Sequence, residues 1–453
     1  MDFFDRKREV EFLKNMKDRK RKTMIAIYGR RRIGKTALLH RAFPDACYLF
    51  VDTRSSETML KDFSHQLSEA HYDSWEVFFR NMLAKEEVII LDEFQNFLRV
   101  DSSVFSVLQK VWDEYKGDSL LILCGSYAGM MKRIFNDSRE PLFGRADHLI
   151  ELKAFAFEDV YEMLSSFGYS LADIVEWYAV LGGVPHYLWR IQEKKLPGTS
   201  LEELFFSPFA PFREEGRNLL ITEFGSEHPG YFAVLKAIGT NDRDASEIVD
   251  RTAMERTKAM KYVSELADRY GIIEKVENML SSSKRGLRYR IADNFLSFWF
   301  GQVYSQTEEI EFDPDQALTN TIRRLPQITG TRFEHVVRSL IPKLFDAGMI
   351  PIKPSKMGKH WGKVPGTRDK AYEIDLVGQN EDSVLFVECK WTNKPVDSKT
   401  AQAFLQKCEY LKSPKSKTYA MVSRSGFKKS ISREIIKISM DDLDQVLSVT
   451  RSR

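Results

Sequence analysis

A short glycine-containing run limits the fold of this chain more than any other segment: Gly29-Arg30-Arg31-Arg32-Ile33-Gly34-Lys35-Thr36. It follows an apolar run, residues 24–28, that predicts a buried strand. It precedes residues 37–43, which predict the opening turns of a helix. At such a corner the backbone N–H groups converge, and glycine lets the chain curl closely around an anion. The sequence therefore predicts a phosphate-binding loop in an α/β fold, with a chance glycine loop as the alternative.

Each side chain of this loop has a predicted role in binding ATP. Lys35 is expected to reach the β- and γ-phosphates, and the Thr36 hydroxyl is expected to bind Mg²⁺. The three arginines add positive charge that the chemistry does not require. The predicted nucleotide contacts are Gly29, Arg30, Arg31, Arg32, Ile33, Gly34, Lys35, Thr36 and Ala37.

A second apolar run, residues 88–91, ends in the acidic pair Asp92-Glu93. Four consecutive aliphatic residues suit a central parallel strand, and ligands bind at the carboxyl ends of such strands. We therefore expect Asp92 to bind Mg²⁺ and Glu93 to orient and polarise the attacking water. A strand followed by an ordinary charged turn is the alternative.

Two further residues are predicted near the γ-phosphate. Ser126 follows the apolar run 120–124 and could sense this phosphate group. Arg145 precedes a strand-like segment, residues 148–152, and lies where an arginine finger could be. A surface arginine without a catalytic role is the alternative for Arg145.

The length of 453 residues predicts two to four domains, and a hydrophobic content of 43% predicts a globular chain. No run approaches the ~18 apolar residues of a membrane span, and the first residues lack the apolar stretch of a secretory signal. We therefore expect a soluble, cytoplasmic protein with no membrane partner. The cysteines are scattered and form no CxxC pair, which predicts reduced thiols at Cys47, Cys124, Cys389 and Cys408.

Positive charge is concentrated in the last part of the chain. Residues 331–453 hold 23 Lys and Arg against 14 Asp and Glu, a local net charge of +9, although the whole chain carries only +3. A basic module of this kind predicts a polyanionic partner such as DNA. A solvated basic face without a partner is the alternative.

The pattern of strand-like and helix-like segments divides the chain into five parts. Residues 1–165 alternate the two and predict a nucleotide-binding α/β core with a parallel sheet, and residues 166–225 predict a helical lid. Residues 226–305 predict a winged helix, residues 306–330 an acidic linker, and residues 331–453 a basic α/β domain. Within the lid region, the Gly-Gly-Val-Pro segment predicts either a helix start facing the nucleotide or a simple turn between helices.

The winged helix is predicted from three helical patterns followed by two alternating strands. Its third helix and its wing carry six cations: Arg256, Lys258, Lys261, Lys284, Arg285 and Arg288. These cations predict contact with DNA, while a winged helix that only spaces protein parts is the alternative.

Two apolar segments of the basic domain predict a second catalytic site. Residues 371–377 and 383–391 read as neighbouring strands joined by a polar turn, so Glu388 and Lys390 share one face and Asp375 can meet them. The predicted helix of residues 332–340 can add Glu334. Buried carboxylates need a cation, and Mg²⁺ or Mn²⁺ prefers oxygen ligands. We predict metal binding by Glu334, Asp375 and Glu388, with Lys390 assisting phosphodiester hydrolysis; an ordinary hairpin with edge charges is the alternative.

With these residues assembled, the chain resembles prokaryotic, chiefly archaeal, ATPases of the AAA superfamily, related to the STAND and origin-recognition branches, that carry a C-terminal nuclease-like domain. The segments that carry this resemblance are residues 28–36, 91–95, 124–126, 142–145, 182–185 and 293–300. Glu373-Ile374-Asp375 and Val387-Glu388-Cys389-Lys390-Trp391 resemble the PD-(D/E)XK superfamily signature, with every acid and lysine position filled. The resemblance implies an ATPase linked to a DNA-handling module.

Two functions follow as hypotheses. The first is an ATPase whose nucleotide cycle controls a metal-dependent DNA nuclease. The second is an ATP-dependent switch of the STAND type, or a DNA-binding regulator, whose C-terminal core does not cleave. Both allow assembly into homo-oligomers or with a partner protein, because an arginine finger can act on a neighbouring subunit.

Overall fold

The structure is a computed structural model that describes residue 4 and residues 6–449, apart from 69–70, 193–198, 281–285, 368–369, 412 and 414. Lys284 and Arg285, two of the predicted DNA contacts, lie outside the described residues. The chain divides into two compact units. The first comprises Met1–Phe155, Val184–His186 and Thr222–Gly225, and the second comprises Ala156–Gly183, Tyr187–Ile221 and Ser226–Arg453.

The first unit alternates helices and strands around a parallel sheet. Its five strands are ordered β2-β3-β4-β1-β5, and every neighbouring pair is parallel. The elements are α1 (Lys7–Asp18), β1 (Thr23–Tyr28), α2 (Lys35–Ala42), β2 (Cys47–Phe50), α3 (Ser56–Leu67), α4 (Trp75–Lys85), β3 (Val88–Asp92), α5 (Phe97–Val100), α6 (Ser103–Glu114), β4 (Leu120–Gly125), α7 (Ala128–Asn136) and β5 (His148–Glu151).

The central strands of this sheet are apolar because helices cover both of its faces. Every residue of β1, β3 and β4 is buried. Along β1, Met24 and Ala26 belong to one core, which contains aromatic residues of α3, α4 and α6, while Ile25 and Ile27 belong to the core on the opposite face. Parallel strands covered on both sides read as continuous apolar runs, so the predicted α/β fold with a parallel sheet is confirmed.

The second unit begins with helices. They are α8 (Phe157–Ser166), α9 (Leu171–Leu181), α10 (Pro185–Trp189), α11 (Thr199–Leu201) and α12 (Glu215–Phe224), and the first unit includes the start of α10 and the end of α12. The predicted Gly-Gly-Val-Pro segment lies between α9 and α10. Gly182 has a φ of +65°, which favours glycine, and Pro185 begins α10.

Three helices and a small three-stranded sheet follow, and the short first strand, which lies between the first two helices, was not predicted. They are α13 (Pro229–Ile238), β6 (Arg243–Asp244), α14 (Ala245–Thr252), α15 (Arg256–Ser264), β7 (Ile273–Val276) and β8 (Arg288–Ile291). The three strands are antiparallel in the order β6-β8-β7. The Asp244 carboxylate accepts hydrogen bonds from the N–H groups of Ser246 and Glu247, and this N-cap fixes the start of α14.

Residues 306–330, predicted as a linker, are largely helical in the structure. After α16 (Asn294–Phe298), the chain forms α17 (Thr307–Phe312) and then α18 (Pro314–Asp346), a single helix of 33 residues. Pro314 occupies the first turn, where its missing N–H costs nothing, and the Asp313 side chain caps the Gln316 N–H. The acidic, proline-containing stretch is therefore a helix start, and α18 continues into the basic domain.

The basic domain is built on a mixed sheet ordered β13-β12-β11-β10-β9. Its elements are β9 (Lys356–Lys363), β10 (Ala371–Gln379), β11 (Ser383–Lys390), α19 (Ser398–Glu409), β12 (Ser416–Ser423), β13 (Ile435–Ser439) and α20 (Met440–Val449). β10 and β11 form the predicted antiparallel hairpin, with Leu376 opposite Val387, whereas β11, β12 and β13 run parallel. In the part of the chain that the structure describes, no helix combines the length and hydropathy needed to cross a bilayer.

Candidate functional site

The glycine-rich loop lies between β1 and α2, as predicted. A Cβ on Gly29 would lie 2.3 Å from the Leu152 carbonyl oxygen and 2.5 Å from a side-chain carbon of Ile33, so no larger residue fits there. Gly34, just before α2, has a φ of +90° and open space where a Cβ would be. Both glycines are thus required by the backbone path of the loop.

Lys35 is buried at the start of α2, with 6% of its surface exposed. Its ammonium donates hydrogen bonds to the carbonyl oxygens of Gly29 (2.8 Å) and Arg30 (3.2 Å), so it lies against the loop. Burial lowers the pKa of Lys35, while neighbouring groups that include the Glu93 and Asp92 carboxylates act in the opposite direction. The loop therefore presents a poorly solvated cation close to two acids.

Thr36 and Asp92 meet where β3 ends. The Thr36 hydroxyl donates to the Asp92 carboxylate at 3.1 Å, and the Tyr48 hydroxyl donates to the same Asp92 oxygen. Burial and this hydrogen bond raise the pKa of Tyr48. Tyr48 was not predicted, because its position beside Asp92 depends on the pairing of β2 with β3, which no local sequence motif indicates. A hydroxyl and a carboxylate in contact form a pair of oxygen ligands suited to Mg²⁺.

Glu93 immediately follows β3 in a left-handed conformation with a φ of +54°. Its carboxylate accepts hydrogen bonds from the Gln95 amide at 2.6 Å and from the Ser126 hydroxyl at 2.5 Å. Ser126, predicted to sense the γ-phosphate, therefore contacts the predicted catalytic acid at the end of β4. Gln95 was missed; its amide oxygen lies 2.4 Å from where a Cβ on Gly125 would be, which explains that glycine.

The other predicted residues of the first unit take different positions. Arg145 forms an ion pair with Asp113 of α6 at 3.2 Å, and the two side chains are 34% and 50% exposed. Arg31, Thr36 and Ala37 are exposed, whereas Ile33 is buried in the core under the sheet. The structure thus places Arg145 at the surface, where an in-trans role would need a second subunit.

Sequence reasoning also missed Glu223, an acid near the end of α12 that belongs to the first unit. Burial raises the pKa of Glu223, and the Gly129 N–H together with the charges of Arg30, Lys132 and Lys35 acts in the opposite direction. Glu223 lies far from the glycine-rich loop in the sequence, in a segment predicted only to be helical. The sequence therefore gave no sign that this acid belongs to the first unit.

Two of the predicted acids of the basic domain, Asp375 and Glu388, lie on neighbouring strands of its sheet. Asp375 of β10 accepts a hydrogen bond from the Cys389 N–H of β11 at 2.8 Å. Glu388 receives the ammonium groups of Lys390 at 2.7 Å and Lys407 at 2.9 Å, both on its Oε1 atom. Its other oxygen, Oε2, is buried and accepts no hydrogen bond from the described residues. A buried oxygen in that state suits a cation ligand.

Glu334 of α18 completes this group, which we name the acid cluster: Glu334, Asp375 and Glu388. Burial and then the charge of Asp375 raise the pKa of Glu334 to about 8. Burial and then the charge of Glu388 raise the pKa of Asp375 to about 6. Burial and neighbouring negative charge therefore oppose the ionisation of Glu334 and Asp375. In the described ranges, however, no three His, Cys, Asp or Glu side chains are already close enough together to hold a metal ion.

Lys359 of β9 was not predicted and forms three ion pairs beside the acid cluster. Its ammonium lies 2.9 Å from Glu334, 3.0 Å from Glu373 and 3.4 Å from Asp242. Burial alone would lower the pKa of Lys359, but these carboxylates raise it. Lys359 has glycine and histidine as its neighbours on an edge strand. This local sequence gave no sign that the lysine forms a buried ion pair.

The small sheet of the second unit packs directly against this region. Met279, just after β7, donates its N–H to the Lys359 carbonyl at 2.7 Å, and the Asn278 amide donates to the Trp361 carbonyl at 2.7 Å. Arg288 of β8 forms an ion pair with Glu373 at 2.5 Å and lies 4.2 Å from the Trp361 ring centre. Arg288, predicted to face DNA, is thus occupied by the basic domain, and we name residues 277–279 with β8 the docked wing.

The third helix of the predicted winged helix remains exposed. Arg256, Lys258 and Lys261 all lie on the exposed surface of α15, and Glu255 caps the start of the helix through the N–H groups of Thr257 and Lys258. These three cations are accessible to a polyanion.

The parallel sheet, the glycine loop at the end of β1 and the acid pair at the end of β3 together define the first unit as a P-loop NTPase fold. Residues 21–161 match the family model of the AAA domain. Over these residues the first unit is therefore similar to ATPase-like AAA domains. Residues 299–403 match DUF234, a family described as archaeal and bacterial proteins of unknown function.

Relatives and solved structures extend these matches. An uncharacterized protein of Methanocaldococcus jannaschii, MJECL04, is 29% identical over 405 residues, which is 86% of this chain and 87% of the relative. The Walker-type ATPase PABY2304 of Pyrococcus abyssi is 19% identical and covers 66% of this chain and 96% of its own, with a TM-score of 0.48. The Aeropyrum pernix ORC2 protein is 14% identical and covers 71% and 95%, with a TM-score of 0.45.

Proposed function

We propose that this chain binds Mg²⁺ and ATP in its first unit and hydrolyses the ATP. The observation that carries the proposal is the meeting of Lys35, Thr36, Asp92 and Glu93 at the carboxyl edge of one parallel sheet. The residues fit the nucleotide. The Lys35 ammonium is bonded to loop carbonyls, Gly34 leaves open space, and Thr36 and Asp92 form an oxygen pair for the metal.

Mg²⁺-ATP, when bound, supplies the phosphoryl group that is transferred to water. The loop N–H groups and Lys35 would hold the β- and γ-phosphates, and Thr36 and Asp92 would hold the metal. Glu93 would orient the attacking water. Its carboxylate is restrained by Gln95 and Ser126, so these two residues would set the direction in which Glu93 faces the nucleotide.

Phosphate release from ATP tests this proposal. We expect Lys35→Ala to abolish turnover because the phosphate contact is lost, and Glu93→Gln to retain ATP binding while turnover falls by about 100-fold or more. Lys61→Ala, which removes an exposed lysine of α3, is the matched control and should turn over normally. Unchanged hydrolysis in Lys35→Ala would reject the assignment, and loss of ATP binding in Glu93→Gln would give Glu93 a structural role.

A second activity, metal-dependent cleavage of DNA, is proposed for the acid cluster. Three observations favour it: the raised pKa values of Glu334 and Asp375, the buried Glu388 Oε2 atom without a hydrogen bond among described residues, and two lysines on Glu388. Mg²⁺ or Mn²⁺ would relieve the repulsion between these acids, and its chemistry when bound is to polarise a phosphoryl oxygen. Lys390 would then lie where it can offset charge on the phosphate.

Cleavage of labelled DNA in Mg²⁺ and Mn²⁺ tests this second activity. We expect Asp375→Ala to abolish cleavage, whereas Asp382→Ala, an exposed aspartate in the turn after β10, should leave it intact. Absence of cleavage on duplex, single-stranded and branched DNA would favour the alternative, an ATP-dependent switch whose C-terminal sheet does not cleave.

DNA binding itself is proposed for α15, read as the third helix of a winged helix. Its exposed cations support the proposal, and the docked wing would leave α15 as the face that meets a duplex. We expect Lys258→Ala to weaken binding on all sequences and to reduce the slope of log affinity against log salt by about 1. An unchanged salt slope would place the DNA contact elsewhere.

Assembly through Arg145 would be tested by mixing Arg145→Ala with Lys35→Ala chains, because in-trans action would restore ATP turnover.

A further inference from the structure

A cavity of about 310 Å³ lies in the second unit, and among the described residues that line it there is no member of the acid cluster and no residue of α15. It is formed where the end of α13, the strand β6 and the end of α14 meet the residues after α16 and the middle of α18. Four cations line it, each from a different element: Lys236, Arg243, Arg251 and Arg324. A cavity of this size is large enough for a phosphorylated small molecule.

The charge of this cavity is unbalanced. Among the described residues that line it there is no aspartate or glutamate. Arg243 is held by an ion pair with Glu247 at 2.6 Å, one helical turn away, and this contact fixes the direction of the arginine. The neighbouring Asp242 carboxylate is directed to Lys359 instead. The cavity therefore concentrates positive charge that an anion would neutralise.

Two residues that line the cavity carry buried polar atoms without a hydrogen bond among the described residues, and these atoms are a second, independent sign of a ligand. Gln302 lines the cavity with only 3% of its surface exposed, and its Oε1 atom is buried and accepts no hydrogen bond from the described residues. The Arg243 Nε atom is likewise buried without such a partner. A buried acceptor calls for a donor, and a buried N–H calls for an acceptor.

Close backbone packing gives the cavity a fixed wall. A Cβ on Gly301 would lie 2.6 Å from the Thr240 methyl carbon and 3.2 Å from the Thr240 backbone nitrogen, so the residues after α16 can approach the end of α13 only because residue 301 is glycine. Gly239 there has a φ of +55°. The cations are thus presented from elements that hold each other in place, as a preformed site requires.

We propose that this cavity binds a phosphorylated small molecule of the nucleotide class. Its phosphate groups would lie among the four cations and accept from the Arg243 Nε–H group, and a hydroxyl or amine of the sugar or base would donate to Gln302 Oε1. The site is separate from the phosphate loop of the first unit. It gives the second unit a ligand of its own, one that does not depend on ATP hydrolysis or on DNA cleavage.

Calorimetric titration of the full chain carrying Lys35→Ala, which removes the phosphate loop as a competing site, tests this proposal with AMP and inorganic pyrophosphate as probes. We expect saturable binding of both, weakened about tenfold or more by Arg324→Ala. Arg323→Ala, an exposed arginine next to it in α18, is the matched control and should bind both probes normally. Gln302→Glu should weaken pyrophosphate binding by adding a negative charge, and Gln302→Leu should weaken AMP while sparing pyrophosphate.

Three results would overturn the assignment: no saturable binding of either probe, equal binding by the Arg324→Ala and Arg323→Ala chains, or loss of duplex DNA binding in Arg324→Ala with AMP binding unchanged. The last would make the cavity a contact for a nucleic-acid backbone instead. Because Arg324 is exposed, its truncation should preserve folding, and ATP turnover measured with Lys35 intact should be unchanged. Failure here is therefore distinguishable from failure of the proposed ATPase.

Discussion

Replacing Glu334 by glutamine removes the carboxyl group whose ionisation the C-terminal sheet opposes most strongly. The pKa of this group is raised from 4.5 to about 8 by burial and by Asp375. A shift of this size corresponds to about 5 kcal/mol of free energy that opposes folding once Glu334 is ionised. Because the pKa is higher in the folded state, the penalty is absent below pH 4.5, grows as the pH rises, and is complete above pH 8.

Glutamine cannot ionise. The free energy of unfolding of the Glu334→Gln chain should therefore increase relative to that of the native chain as the pH rises. The raised pKa already includes the opposing attraction of Lys359, which keeps its ion pairs with Glu373 and Asp242 in the variant. We therefore expect a gain of about 4 kcal/mol between pH 5 and pH 8.5, which corresponds to roughly 8–16 °C in Tm.

Thermal unfolding in chelator-containing buffer, followed at pH 5, 6.5 and 8.5, measures this difference. Glu381→Gln, which neutralises an exposed acid after β10, should show no pH-dependent gain. Adding Mg²⁺ at pH 8.5 should raise the Tm of the native chain more than that of Glu334→Gln, because a cation would relieve the same repulsion. A difference between Glu334→Gln and the native chain that stays constant from pH 5 to pH 8.5 would refute the reasoning.

Three further changes test single contacts. Gly29→Ala places a Cβ 2.3 Å from the Leu152 carbonyl oxygen, so we expect loss of ATP binding and a lower Tm, measured by calorimetry and thermal unfolding; normal ATP binding would show that the loop can adjust. Tyr48→Phe removes a hydrogen-bond donor to Asp92, so the Mg²⁺ concentration needed for half-maximal ATP turnover should change by a few fold. The same Mg²⁺ dependence in the variant and the native chain would show that Tyr48 does not contribute to the site. Arg288→Ala frees the docked wing at one contact and should speed amide hydrogen exchange in β8; unaltered protection would mean that the backbone contacts suffice.

The parts of the fold that sequence predicted well rest on local patterns. The strands β1, β3 and β4 are continuous apolar runs because both faces of their sheet are covered, and the glycine loop lies between a strand and a helix that are each evident alone. The hairpin of β10 and β11 likewise follows from two apolar runs on both sides of a polar turn, and it brings Asp375 into contact with the N–H group of Cys389, between Glu388 and Lys390.

What sequence missed depends on contacts between distant segments. Lys359 lies near Glu334 and Asp242 only because an edge strand, a long helix and the end of α13 meet, and no local pattern encodes that meeting. Arg288 looked like a DNA contact because a cation on a strand next to a basic loop is indistinguishable, in sequence, from one that pairs with Glu373. The acidic stretch before Pro314 was predicted to be a linker because proline commonly ends helices and strands. Proline is also common in the first turn of a helix, and that is its position here.

The docked wing protects an otherwise open row of backbone groups. β9 is the outermost strand of its sheet, and the carbonyls of Lys359 and Trp361 on it are occupied by Met279 and Asn278. An uncovered outer strand can template pairing between chains and lead to aggregation. A fragment beginning at residue 331 would uncover β9 and also cut through α18, so we expect the C-terminal sheet to remain monomeric in solution only when the residues from α13 onward are kept with it.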